Sequence, residues 1–352
     1  MINKKAVIGL REEYKSYNKK HMTLELIKLF AAYMVVFIHV PFYGVTGKII
    51  DALARFAVPL FFFISGFFSF KISLEKIKER IKQILIITVF SSILYFLFKT
   101  AVLLYFGNIS TVVSYFKGFL NSESLIDLFV LNVPFSSGHI WYLLALIYVY
   151  IIFYFITKFR LNEKLIFSVA FLLLFLHILL GELLGIFGIA IPIHFLRNFA
   201  LMGFPFFAIG LLTRKHKNKI QNVSNPILII AIIIGCIESV FSHLFYGKKE
   251  LYIGSLFILF ALVVFFLKYS DVKYPKSFYV LTGCSTYIYI FHILVSDVIY
   301  TAYAMCNIDI NSVALLKYMH PIVVCIASTV LALFITQANV FVKKLIRYKN
   351  TK

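Results

Sequence analysis

Charge is scarce in this sequence. Of its 352 residues 14% are charged and 61% hydrophobic, and the scarcity is one-sided, with 15 Asp and Glu against 35 Lys and Arg. A chain of ordinary soluble domains carries more charge than this, so that class is excluded. Cysteine is scarce too. There are four, and no two have Cys-x-x-Cys spacing, which excludes the common metal and redox motifs. Cys236, Cys284 and Cys325 sit inside apolar runs and Cys306 in a loop, and all four read as small buried residues. No metal site is expected. Also missing are a fixed-period repeat, a low-complexity segment, a Gly-x-Ser-x-Gly elbow, a His-Glu-x-x-His helix and a P-loop. No signal-peptide cleavage pattern precedes the first apolar run, so that run is expected to be retained as a helix.

What is abundant is long apolar sequence. There are 40 Phe and 22 Tyr, and apolar runs of about 18 residues or more recur, the length a bilayer core requires. The expected class is all-α, a polytopic membrane protein with about ten transmembrane helices near 24–43, 50–70, 83–106, 139–157, 165–181, 196–213, 226–245, 251–267, 278–300 and 318–341. The expected division is a basic N-terminal segment (1–23), one membrane domain (24–341) and a basic tail (342–352). A net charge of +20 does not imply nucleic acid, because the charges fall in short clusters between the apolar runs. If the N-terminus is cytoplasmic, 26 of the 35 Lys and Arg lie on the inner side and five on the outer. That split predicts N-in, C-in topology in a cell membrane. The segment from Phe106 to Gly138 is then the longest outer one. Its "SESLIDLFVLN" is too short to span, and is expected on the surface or as a re-entrant piece.

Ionisable residues inside these runs are costly unless paired or hydrated. The stretch "LELIKLFAAYMVVFIHV" carries Glu25, Lys28 and His39. On a helix Lys28 and His39 fall about 20° apart on one face and roughly 16 Å apart along the axis, with Glu25 a turn below Lys28. With the topology set, His39, Arg55, His139, Trp141, His177, Glu182, Arg197, Glu238, His292 and Asp297 all fall in the outer half. Two readings follow: a shared water-accessible cavity, or separately satisfied structural residues. In "GCSTYIYIFHILVSD" the residues Ser285, Tyr289, His292 and Ser296 form one helical stripe around a histidine. In "RFAVPLFFFISGFFSF" Pro59 releases a backbone carbonyl and Ser65-Gly66 permits close helix approach. Trp141, the sole Trp, serves as an interface anchor or as a platform for a sugar. Lys28 either snorkels to the inner headgroups or meets a ligand.

These residues resemble those of the acyltransferase 3 family of membrane proteins. Lys28-x10-His39 is similar to the basic-x10-His pattern of the family's first helix, with Lys where Arg is commoner and Glu25 where Asp is commoner. "VPLFFFISGF" (58–67), "HIWYL" (139–143), "FPFFAIGLL" (204–212) and "YIFH" (289–292) resemble later motifs in family order. The chain is expected to stop after the membrane core, with no added extracytoplasmic esterase-like domain. The resemblance implies transfer of an acyl group, often acetyl from acetyl-CoA, to a hydroxyl of a surface glycan such as enterobacterial common antigen, O-antigen, capsule or peptidoglycan. Relatives also include the membrane component of staphylococcal polysaccharide adhesin systems.

Acyl transfer needs a base for the hydroxyl proton and positive charge for the oxyanion. The catalytic candidates are His39 as base or transient acyl carrier, Arg55 for the developing charge, and His292. The candidates for binding donor and substrate are Glu25, Lys28, Ser65, His139, Trp141 and Tyr289. Lys28 suits a CoA arm arriving from the cytoplasm, although it lacks the two-pronged fork of Arg. No cofactor is expected to stay bound; acetyl-CoA is a substrate. The expected partners are acyl-CoA, a glycan acceptor and the bilayer, not nucleic acid. The competing class is a glycan exporter of a polysaccharide system, which lacks support from paired broken-helix repeats. A third class, an assembly partner of a glycan synthase, gives no reason for the histidine-centred stripes.

Overall fold

The computed structural model describes residues 4–119, 122–129, 131–134, 137–270, 272, 274–310 and 312–349. The chain ends 1–3 and 350–352, Lys273 and part of the predicted outer segment lie outside them. Every regular element described is helical. Among the described residues eight helices are long and apolar enough to cross a membrane: Met22–His39, Gly44–Phe67, Leu74–Phe106, Gly138–Lys158, Glu163–Ile186, Asn225–Tyr246, Ser285–Met305 and Ala314–Asn339. The protein is a polytopic membrane protein. Its surface agrees with that: Phe90 is 62% exposed and Leu97 58%, side chains for which hydrocarbon is the favourable solvent.

Two of the ten expected spans come out shorter. Ile253–Lys268 is a 16-residue apolar helix, roughly 24 Å long. The 196–213 run breaks at Arg197–Asn198 and resumes as a π turn, Phe199–Gly203, leading into Phe204–Lys215. Asn198 causes the restart, because its side chain accepts from the Ala200 and Leu201 amides and so caps the new helix. The predicted outer segment holds two helices, Ile109–Phe119 and Ser122–Phe129, both too short to span. The backbone helix Lys4–His39 runs through the expected boundary at residue 23, and Ala314–Lys349 through that at 341. Cys306 is exposed, not buried, because it caps the C-terminal end of Ser285–Met305 where that helix stops at Asn307, which has φ +54°.

The chain divides into two compact units. The first comprises Met1–Ala57, Asn218–Cys236 and Phe257–Lys352. Here the helix ending at His39 packs against Gly44–Ala54, Lys276–Thr282, Ser285–Met305 and Ala314–Lys349. Its buried stripe is Leu24, Ile27, Ala31, Ala32, Val35 and Val36, spaced at helical period. The small residues let neighbours approach closely. The Tyr33 hydroxyl meets Thr329 Oγ1 at 2.9 Å, which ties the first helix to the last.

The second unit comprises Val58–Lys217 and Ile237–Leu256. Leu74–Phe106 packs on Trp141–Lys158, and Glu163–Ile178 on Phe204–Lys215. The Ser65-Gly66 step admits a close approach: a Cβ at Gly66 would stand 1.9 Å from the Phe207 carbonyl oxygen, and one at Gly210 2.1 Å from that of Phe63. Arg80 closes one end of this unit, donating to Ser69 Oγ (2.7 Å), the Tyr150 hydroxyl (3.0 Å) and the Phe68 carbonyl (3.1 Å).

Candidate active site

The first unit carries a pocket of about 250 Å³ whose lining includes His39, Tyr43, Ser296, Tyr300, Lys317 and His320. Its shape follows from how the first helix ends. Pro41 lies two residues past His39, and proline does not continue a helix. Gly44 opens the next helix at φ +70°, a left-handed backbone that glycine adopts without steric cost. Residues 40–44 therefore turn as a short segment along the pocket wall, and His39 stands at the pocket, half-buried, as the last residue of its helix.

Behind His39 lies His292. The two imidazole centroids are 5.3 Å apart with planes tilted by 44°. His292 is fully buried, and its Nδ1 is 2.7 Å from the Tyr289 carbonyl oxygen. A carbonyl only accepts, so Nδ1 carries the proton and Nε2 is the basic nitrogen of the neutral ring. Tyr289 is buried beside it, with ring centroids 6.2 Å apart. Two histidines predicted on separate helices thus sit together.

The other predicted residues of this unit are paired. The Arg55 guanidinium donates from Nη2 to both oxygens of Asp51, at 2.6 and 2.7 Å, and both side chains are buried. Asp51 balances the charge and fixes the direction of the guanidinium. Lys28 and Glu25 form a looser pair at 3.8 Å, about a quarter and a third exposed.

Ser65, His139 and Trp141 belong to the second unit. Ser65 Oγ donates to the Phe61 carbonyl of its own helix at 2.8 Å. His139 is buried, with Nδ1 2.8 Å from Ser137 Oγ and Nε2 3.4 Å from the Tyr95 hydroxyl. Trp141 is 6% exposed and packs 6.1 Å from the Phe62 ring, so its indole presents little open face. Three further charged residues of this unit, Glu182, Glu238 and Arg197, also find partners. Glu182 accepts from Ser242 Oγ at 3.0 Å and from the Ile253 amide at 2.6 Å, and Glu238 accepts from the Gly254 amide. Those amides are the first of Ile253–Lys268, where carboxylates are favoured. Arg197 forms a two-pronged pair with Glu250, at 2.8 Å for Nη2–Oε1. His177 is fully buried, and neither of its ring nitrogens has a hydrogen-bond partner among the described residues.

Residues 23–338, most of the chain, match the family model of the acyltransferase 3 family, an acyltransferase domain. The chain belongs to that family. No curated protein and no solved structure matches it. As a membrane-bound acyltransferase it works on an acyl donor and an acceptor, and both His39 and His292 lie within the matched residues.

Several residues escaped the sequence reading: Tyr43, Tyr300, Lys317 and His320 at the pocket, and Asp51 beside Arg55. Asp51 had a signal, since it precedes Arg55 by four residues, one turn of helix. His320 had one too, as an ionisable residue before a proline in an apolar run, "YMHPIVV".

Proposed function

We propose that this acyltransferase moves an acetyl group from acetyl-CoA to a hydroxyl of a surface polysaccharide or its lipid-linked precursor. The observation that carries the reading is His39 in the wall of a polar pocket, with His292 directly behind it. In this scheme the acceptor hydroxyl enters the pocket. His39 takes its proton as the oxygen attacks the thioester carbonyl carbon. The carbon–sulfur bond breaks, and the departing CoA thiolate takes that proton back. His292, oriented through Nδ1 by the Tyr289 carbonyl, supports the His39 ring. Lys28, roughly 16 Å inward of His39 along the helix, meets the CoA arm with Glu25 holding its ammonium, while Arg55, buried and held by Asp51, braces the helix that follows. Ser65, His139 and Trp141 take no step here, because their polar atoms or ring faces are engaged within the second unit.

The 26-to-5 distribution of basic residues supports cytoplasmic termini in a bacterial membrane, with donor supplied from inside and glycan modified outside. The deciding experiment uses the purified protein in sealed vesicles with labelled acetyl-CoA and isolated surface glycan. Base-labile acetyl ester on the glycan is the expected product. A glycan that crosses the vesicle membrane without gaining an ester would replace this reading with export.

A further inference from the structure

The pocket holds more polar groups than a proton transfer uses. His320 is 4% exposed and lines it. Its Nε2 is 3.2 Å from Ser296 Oγ, while its Nδ1 is buried with no hydrogen-bond partner among the described residues. An anionic ligand selects the tautomer in which Ser296 donates to Nε2, and Nδ1 then carries the ring proton as a donor. Leaving a buried polar nitrogen unmet costs about 1–3 kcal/mol, so a ring of this kind in a pocket wall points to a polar ligand, and the neighbouring cation sets that ligand's sign. Lys317 stands three residues before His320 on the same helix, one turn away. Its ammonium is held 3.4 Å from the centre of the Tyr43 ring, and Tyr318 braces that ring edge-on at 5.7 Å. The cation is therefore positioned before any ligand arrives. Among the described residues that line the pocket none is acidic. Tyr300, its ring 4.4 Å from that of His320, is 45% exposed and offers an apolar face. The volume of about 250 Å³ equals the share of about eight waters, room for one sugar ring but not for the whole of CoA.

We propose that this pocket binds a sugar bearing an oxyanion, with the anion held by Lys317 and His320 and the ring against Tyr300. The inference rests on reading the pocket as the acceptor's site, and it narrows the acceptor from any glycan to an anionic one. The oxyanion is either a carboxylate, as in a uronic acid, or a phosphate on the sugar. Lys317 and His320 are binding residues in this scheme and take no part in the proton transfer.

Binding is measured without catalysis, on the purified full chain in detergent, with labelled glucuronic acid, glucose 1-phosphate and glucose as probes and CoA as competitor. Saturable binding of glucuronic acid or glucose 1-phosphate is expected, with glucose at least tenfold weaker; whichever of the two binds more tightly names the oxyanion. Lys317→Gln and His320→Gln should each weaken the anionic probe roughly tenfold or more, the loss of one charge-assisted contact, and leave glucose unchanged. Lys317→Arg, a half-buried position where the charge is kept, should retain binding even if His320→Gln misfolds. Equal binding of glucose and glucuronic acid, no saturable binding of either anion, displacement by CoA, or wild-type binding in Lys317→Gln would each overturn the proposal. Anionic sugar binding together with absent acetyl transfer would count against the acyl-transfer reading and leave this one standing. Transfer to a neutral glycan without anion binding would do the reverse.

Discussion

Replacing His39 by Ala isolates the proposed base. His39 is half-buried, at the end of its helix and beside a pocket, so its removal opens no sealed apolar void of the kind that destabilises a core. The stability cost is that of a polar side chain at a helix C-terminus, about 0.3–1 kcal/mol. The catalytic cost is far larger. A positioned general base contributes about 10²–10⁴ in rate, which is about 3–5 kcal/mol of barrier. The two effects separate if acetyl transfer is normalised to folded, membrane-inserted protein, measured by fluorescence-detected size exclusion. Specific activity should fall at least a hundredfold while the folded amount stays near wild type. A loss smaller than about tenfold per folded molecule would end the assignment of His39 as base, since nothing else in the reasoning removes the hydroxyl proton. The same preparation distinguishes base from acyl carrier. A carrier releases one equivalent of CoA in the absence of acceptor, whereas a base releases none.

Other perturbations test the surrounding structure. Lys28→Arg keeps the charge next to Glu25 and should retain most activity, while Lys28→Ala should raise KM for acetyl-CoA more than KM for the glycan. Asp51→Asn removes the charge that balances buried Arg55 and should destabilise by about 3–5 kcal/mol, seen as a lower midpoint of thermal unfolding in detergent; an unchanged midpoint would show that the pair is not structural. Gly66→Ala places a methyl 1.9 Å from the Phe207 carbonyl oxygen and should cost at least about 1–3 kcal/mol from forced backbone movement, with Ser65→Ala as the mild neighbour. In a cysteine-less background, Lys215→Cys should react only with reagents supplied from the cytoplasm and Lys248→Cys only from outside; labelling of the first in intact cells would reverse the topology.

Fold class was legible because hydropathy is a property of whole segments, and a run long enough to span announces itself regardless of its partners. Breaks inside those runs were not. One capping side chain, Asn198, interrupts the 196–213 run, and the Gly283-Cys284 step divides Lys276–Thr282 from Ser285–Met305. Averaging over eighteen residues hides single positions of this kind. Boundary error had a further consequence. The last span was expected from 318, which left His320 near an interface, whereas the helix begins at Ala314 and places His320 nearly two turns inside it. Asp51 was lost the same way, at the edge of a span expected from 50 that in fact starts at Gly44.

The meeting of His39 with His292 depends on tertiary packing, and one sequence records only that each helix has a polar stripe. The argument from cost, that an ionisable group in a membrane must be paired or hydrated, has two solutions that look identical in sequence. Within the second unit pairing is the solution for the carboxylates and for Arg197. Glu182 and Glu238 take the first amides of a helix, and Arg197 takes Glu250. Within the first unit Arg55 is likewise settled by Asp51, but His39, Lys317 and His320 line open volume. Depth in the bilayer therefore does not distinguish a working residue from a structural one. What marks a candidate working residue is whether it lines a space that a substrate can enter, and that criterion moves the emphasis from a broad band of outer-half charges to one pocket at the end of the first helix.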